Sequence, residues 1–350
     1  MVGVEVFRDI PYLDLVTDDP QSVIGYLSDQ LAFAPAARAV DADRQALALR
    51  NGPVTIVVSS PVGAHGPYAK HLDRHGAGII DVPMTSTDLD ADVRRLVRSA
   101  TPMLPAPAGA ARAAGFGPVV HTLLPVGADP LPPGLSWTYL PEQPVSRGAL
   151  DIQALDHIAV CLPGGTLQQT ADHYADAFGL PRYSSEYIEV GAQAMDSVVV
   201  RSPSGAITFT LIEPDLSHAP GQIDEFLDRH AGAGVQHLAF LVDDIVTAVR
   251  QGRDAGVSFL TPPGVYYETL LERVTSLRDR IADLRDTGVL ADCDEWGYLL
   301  QIFTRSPYPR RTLFYELIQR NDARGFGSAN IRALYEAVER ERQRESTRTR

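Results

Sequence analysis

Three residues of this chain stand where their chemistry is costly. His157, His237 and Glu316 each interrupt an apolar, strand-like run: Leu155-Asp156-His157-Ile158-Ala159-Val160, Val235-Gln236-His237-Leu238-Ala239-Phe240 and Leu313-Phe314-Tyr315-Glu316-Leu317-Ile318. Strand alternation puts His157 on one face with Leu155 and Ala159, His237 with Val235 and Ala239, and Glu316 with Phe314 and Ile318. An ionised carboxylate buried among such neighbours needs a cation or several hydrogen-bond donors. A divalent metal would supply the charge. Two imidazoles and one carboxylate on one face of an octahedron leave positions open for a chelating substrate and O2, the arrangement of non-haem Fe(II) oxygenases. The same donors fit zinc or manganese. The plainer alternative makes each histidine a hydrogen-bonded core residue and pairs Glu316 with Arg310 or Arg311.

Other chemistry finds little support. His65, His71, His75, His121, His173, His218 and His230 fall in turns, helices or Pro/Gly-rich segments and are expected to be surface or structural. There is no HExxH, no GxSxG elbow and no GxxxxGK(S/T) phosphate loop. The GFG at 325–327 is not a dinucleotide fingerprint; its glycines are expected to permit a tight turn before the last helix. Cys161 and Cys293, the only cysteines, have no CxxC spacing and are expected to be buried reduced thiols.

The elements that must position the three residues come from a chain of 350 residues, 45% hydrophobic and 21% charged, which predicts two domains, 1–150 and 151–350. A net charge of −13 argues against a nucleic-acid partner, which would need a basic face. The start MVGVEVFRDI lacks a secretory pattern and no run is apolar for long enough to span a bilayer, so a cytoplasmic protein with no membrane partner is expected. Residues 72–96 (LDRHGAGIIDVPMTSTDLDADVRRL) repeat at 227–250 (LDRHAGAGVQHLAFLVDDIVTAVR) with a one-residue gap. A weaker match relates 10–33 to 155–180, each an apolar strand, a polar turn and an amphipathic helix. Duplication of a βαβββ-like unit, hence an α+β fold, follows. The alignment sets Tyr12 opposite His157 and Asp81 opposite His237, so only the second copy keeps both imidazoles.

Between the copies, the centre of the Pro/Gly-rich stretch from 101 to about 150 reads as a linker with short strands. Further strands are predicted over 197–203, 206–214, 298–304 and 313–319, and helices over 222–230, 244–255, 268–286 and 328–343.

The second half resembles the 4-hydroxyphenylpyruvate dioxygenase family of the vicinal oxygen chelate superfamily. The stretches that carry the resemblance are LDHIAV, SPSG with its following EP, QIDEFL leading into GAGVQHLAF, LLQIFT, and YELIQR followed by GFGSANIRALYEAVERE, together nearly all of 151–343. The resemblance implies two open-barrel domains of the glyoxalase-like fold, the first without metal, and a homodimer. It also implies Fe(II) on His157, His237 and Glu316, with Ser197, Thr210, Gln222 and Gln301 lining the cavity of a small 2-oxo acid, 4-hydroxyphenylpyruvate, that reacts with O2. Hydroxyl and amide groups at Ser197, Thr210 and Gln301 would orient that substrate, and the last helix would close over it. The rivals are a metal-free binding protein of the bleomycin-resistance type and a glyoxalase-type enzyme, which usually needs one more carboxylate ligand.

Within the family two outcomes compete, ring hydroxylation to homogentisate and benzylic hydroxylation to 4-hydroxymandelate. Where the ring-hydroxylating branch usually reads Phe-Pro-x-Asn-Glu-Pro, this chain reads Phe209-Thr210-Leu211-Ile212-Glu213-Pro214, and the usual Gly-Asn-Phe becomes Ala329-Asn330-Ile331. Losing an amide at Ile212 and a flat wall at Ile331 reshapes the space around the substrate ring. The benzylic product is the expected one, on the strength of Thr210, Ile212 and Ile331.

Overall fold

Alternating apolar positions fold each half of the chain into its own curled sheet. The computed structural model describes residues 6–142, 150–262, 265–327 and 329–333. In the first half run β1 (Leu13–Val16), β2 (Ala34–Val40), β3 (Arg44–Asn51), β4 (Val54–Pro61), β5 (Gly78–Asp81), β6 (Met84–Ser86), β7 (Met103–Leu104), β8 (Ala111–Ala114), β9 (Val120–Pro125) and β10 (Thr138–Tyr139). They join in the order β10-β2-β3-β4-β1-β5-β9-β8-β7, with β6 also on β9. The second half contributes β11 (Ala154–Cys161), β12 (Arg182–Val190), β13 (Gln193–Arg201), β14 (Thr208–Pro214), β15 (Gly234–Leu241), β16 (Leu290–Cys293), β17 (Tyr298–Phe303) and β18 (Phe314–Asn321). Their order is β12-β13-β14-β11-β15-β18-β17-β16.

The two sheets repeat one plan. Strand β1 lies parallel to β4 and antiparallel to β5, just as β11 lies parallel to β14 and antiparallel to β15. Seven residues beyond Asp81 and His237 respectively, Asp88 and Asp244 accept hydrogen bonds from the first free N–H groups of helices Leu89–Arg98 and Ile245–Asp254. The duplicated α+β architecture of the glyoxalase-like fold is what the repeat and the resemblance implied. One apolar cluster runs through both halves, with Phe33 against Phe240 at 5.8 Å and Tyr26 stacked on Tyr315 at 5.7 Å. The Asn51 side chain bridges them as well, donating to the carbonyls of Leu31 and Leu150 and accepting from Ile152 N.

Local differences from the sequence reading have local causes. Much of the Pro/Gly-rich stretch is no linker: β8 and β9 pair antiparallel and β9 also docks on β5 and β6, so these strands extend the first sheet. The single helix expected over 268–286 is a helix at Val265–Arg273, a 3-10 segment at Thr275–Arg280 and a helix at Ile281–Thr287. The break falls at Val274-Thr275-Ser276, where a branched side chain and two hydroxyls disfavour continued helix. Cys161 is buried, but Cys293 is exposed because it ends the outermost strand β16. Helix 328–343 lies outside the described residues apart from its turn at 329–333. No helix among the described residues is long and apolar enough to cross a membrane.

Candidate metal centre

Register brings the three residues together. His157 of β11 pairs with Ala239 of β15, which pairs with Glu316 of β18; one step along, Ala159, His237 and Phe314 form the adjoining row. All six therefore share one face of three neighbouring strands, and the methyl groups of Ala159 and Ala239 leave room between the longer side chains. Glu316 Oε2 lies 3.5 Å from His157 Nε2 and 3.2 Å from His237 Nε2, and the three candidate ligand atoms all lie within 4.8 Å of one another. Ligands about 2.1 Å from a metal and at right angles stand about 3 Å apart, so the set fits one divalent ion. Exposures of 4%, 7% and 1% for His157, His237 and Glu316 make solvent a poor alternative partner.

The far side of each ligand is held. His157 Nδ1 donates to Asp156 Oδ1 at 2.8 Å, which turns Nε2 inward toward Glu316. The Asp156 carboxylate also receives Arg320 Nε and Nη2, at 2.7 and 2.8 Å. His237 Nδ1 donates to Gln236 Oε1 at 3.1 Å, and Gln301 Nε2 donates to Glu316 Oε1 at 2.8 Å. Glu316 makes no pair with Arg310, whose guanidinium instead donates to the carbonyls of Arg74 and Asp73. Aromatic walls close the site: Phe314 stacks on His237 at 4.9 Å and Phe326 meets His157 edge-on at 5.3 Å.

Electrostatics favour positive charge at the centre. Burial pushes the Glu316 carboxyl up, but His157 and His237 outweigh it and bring its pKa to about 2. For His157 burial pushes down, and Glu316 with Asp156 outweighs it to give about 9. Burial chiefly holds His237 below its ordinary value. A carboxylate kept ionised against its burial, with two imidazole Nε2 atoms beside it, is a donor set suited to a divalent cation.

The expected cavity residues fall on the same face. Thr210 pairs with Ala159, Ile212 with Cys161 and with Ser197, and Gln301 with Ile318 two residues beyond Glu316. Ser197 Oγ donates to the Glu186 carbonyl at 3.1 Å, whereas the buried Thr210 hydroxyl makes no hydrogen bond among the described residues. Gln301 is engaged at both ends: Nε2 also donates to the Phe326 carbonyl, and Oε1 accepts from Asn330 Nδ2 at 2.8 Å. Gly327, at φ +78°, passes so close to Gln301 that a Cβ there would collide with its amide. Gln222 begins the helix Gln222–His230 and Ile331 lies in the 329–333 turn, both half-buried.

Sequence reasoning missed Asp156, Arg320, Asn330 and Tyr266, whose hydroxyl donates to Asn330 Oδ1. Asp156 carried a signal, a charge inside an apolar strand beside a candidate ligand. Of the other histidines, expected to be surface or structural, His71, His75, His121 and His230 are buried. In the first half the positions aligned with the two imidazoles also meet, Tyr12 OH donating to Asp81 Oδ2 at 3.5 Å.

Comparison with known proteins agrees with this architecture. The Glyoxalase/Bleomycin resistance protein/Dioxygenase superfamily profile matches residues 154–301. A solved triple mutant of 4-hydroxymandelate synthase from Streptomyces coelicolor is 50% identical, with a TM-score of 0.89, over 97% of this chain and 100% of that one. "Probable 4-hydroxyphenylpyruvate dioxygenase 2" of Aspergillus fumigatus is 36% identical over 78% of this chain and 73% of its own length. The 4-hydroxyphenylpyruvate dioxygenase of Yarrowia lipolytica is 30% identical over 83% and 80% respectively.

Proposed function

We propose, from the premise that this chain belongs to the 4-hydroxyphenylpyruvate dioxygenase family of non-haem dioxygenases, that it is a benzylic hydroxylase. In this reading 4-hydroxyphenylpyruvate and O2 give 4-hydroxymandelate and CO2, with Fe(II) held by His157, His237 and Glu316. The observation that carries the metal chemistry is the convergence of two imidazoles and one buried carboxylate on a single sheet face, and the benzylic choice rests on Thr210, Ile212 and Ile331. Held by these three residues, Fe(II) would supply O2 activation and Lewis-acid chemistry toward a 2-oxo acid.

The protein's own task is orientation and the exclusion of water. Thr210 offers the substrate a free hydroxyl, and Ser197 a second one already anchored on the Glu186 carbonyl. Gln301 acts on Glu316, holding one carboxylate oxygen so that the other faces the imidazoles. Ile212 and Ile331 give the pocket aliphatic walls in place of the amide and flat ring usual in the ring-hydroxylating branch. A ring seated against these walls presents its benzylic carbon to the reacting centre. Gln222 completes the substrate-lining set.

Aerobic incubation of Fe(II)-loaded protein with 4-hydroxyphenylpyruvate, followed by chromatography, tests the reading. 4-Hydroxymandelate is the expected main product. Homogentisate in its place overturns the benzylic assignment, and a lack of both product and O2 uptake overturns the enzyme reading altogether.

A further inference from the structure

A charged path leads outward from His157. A register shift between Leu155 and His157 marks a bulge in β11, which frees Asp156 from strict alternation and turns its carboxylate back onto the neighbouring imidazole. That carboxylate is buried, and Arg320 grips it through two N–H groups. Arg320 comes from β18, four residues after Glu316, so one strand supplies both a candidate ligand and the support of another.

The guanidinium has further uses. Arg320 Nη1 donates to the carbonyls of Gly325 at 2.7 Å and Ala323 at 3.3 Å, and the group lies over the Phe326 ring, 5.1 Å from its centroid. Phe326 in turn meets His157 edge-on. The contacts close a ring, from His157 through Asp156, Arg320 and Phe326 back to His157. The imidazole is thus held by a hydrogen bond on one edge and an aromatic wall on its face, both organised by one planar cation.

We propose that Arg320 is a positioning residue for the metal site. Through Asp156 it keeps His157 in its Nδ1–H tautomer with Nε2 aimed at the centre, and through the 323–326 turn it sets Phe326 against the same ring. The inference rests on the reading of His157, His237 and Glu316 as ligands. A neutral side chain at 320 leaves the Asp156 carboxylate buried without its countercharge, and the imidazole loses its fixed partner. A lysine restores the charge and one hydrogen bond but not the fork.

Co(II) titration of the metal-free protein tests this, with calorimetry for affinity and visible absorption for ligand geometry. The wild type is expected to bind one Co(II). Arg320→Gln and the isosteric Asp156→Asn are expected to bind it about 10- to 100-fold more weakly, with a shifted Co(II) absorption band, and Arg320→Lys is expected to fall between. Far-UV circular dichroism establishes that each variant is folded, and Asp156→Asn alone decides the matter if Arg320→Gln does not fold. Wild-type affinity and an unshifted band in folded Arg320→Gln or Asp156→Asn overturn the positioning role while leaving the site intact. A wild type that binds no Co(II) overturns the ligand reading itself.

Discussion

Replacing His71 by phenylalanine tests whether the seam between the two halves is a point of acid weakness. Helices Pro67–His75 and Gln222–His230 bring His71, His75 and His230 together, with ring centroids 5.0 Å apart for His71 and His75 and 4.9 Å for His75 and His230. His75 Nδ1 is within 2.6 Å of the His230 carbonyl, but neither ring nitrogen of His71 has a hydrogen-bond partner among the described residues. Burial, followed by the neighbouring imidazoles, brings His71 to a pKa of about 3, and burial with His75 brings His230 to about 4. Arg310, tethered to the carbonyls beside His75, adds repulsion against a proton on His75 or His230. An unfolded chain protonates these histidines below about pH 6.5 while the folded one resists until 3–4, so their contribution is complete above 6.5 and is lost as pH falls through that window. At pH 4.5 each group costs about 2.7 kcal/mol, about 5 for the two, against a typical total of about 5–15 kcal/mol. His71→Phe keeps the ring and removes one titrating group. It is expected to be at least as stable as wild type at pH 7.5, since two unpartnered nitrogens leave the core, and to cut the loss between pH 7.5 and 4.5 by about 2–3 kcal/mol. Urea unfolding at both pH values, followed by circular dichroism, measures the difference. Equal losses in the two proteins, within about 0.5 kcal/mol, would show that His71 is no source of acid weakness.

Thr210→Val removes the unpartnered hydroxyl at nearly constant volume: kcat/KM for 4-hydroxyphenylpyruvate is expected to fall about 5- to 10-fold while the melting temperature holds or rises, and unchanged kinetics would take Thr210 off the substrate. Burial, opposed by Thr122 and Arg112, raises the Asp81 pKa to about 6 from an ordinary 3.8, so the folded state keeps a proton the unfolded state has lost and stability falls as pH rises from about 4 to 6. Asp81→Asn is expected to abolish that fall, about 3 kcal/mol, as read by thermal midpoints at pH 4 and 7.5; parallel midpoints in both proteins would count against it. Ile331→Phe restores a flat wall and is expected to raise the homogentisate fraction in the product chromatogram, whereas an unaltered product ratio would remove Ile331 from the determinants of outcome.

How much of this was legible in the chain follows from which interactions are local. His157, His237 and Glu316 stood out because a polar side chain in an apolar strand is costly wherever the strand ends up, and the repeat around Asp81 and His237 exposed the duplication without coordinates. Arg320 gave no such signal, since its partner lies 164 residues away and is aimed by a bulge that strand alternation does not foresee. The burial of His71, His75 and His230 was equally hidden, because it arises only when helices from different copies pack together. Short strands were expected among the Pro and Gly of that stretch, but their place was not, because it is set by the sheet edge that β8 and β9 join.

The two copies show why one carries a site and the other does not. By register, Tyr12, Asp81 and Thr122 occupy in the first sheet the places that His157, His237 and Glu316 occupy in the second. There the hydrogen bonds close on themselves: Thr122 donates its hydroxyl and its N–H to Asp81, and Arg112 donates to Thr122. Behind them Asp14 pairs with Arg44 and accepts from Ser59 and Tyr68, filling the curl of the sheet with side chains that satisfy one another. The positions equivalent to Asp14, Ser59 and Arg44 in the second sheet are Ala159, Ile212 and Met195, none of which can ion-pair. Their loss removes the internal partners, so two imidazoles and one carboxylate converge, and the Thr210 hydroxyl on the same face is left without a hydrogen bond among the described residues. Buried polar atoms left in that state are costly unless something else completes them, and this is the physical argument for a metal and a polar substrate in the second copy alone.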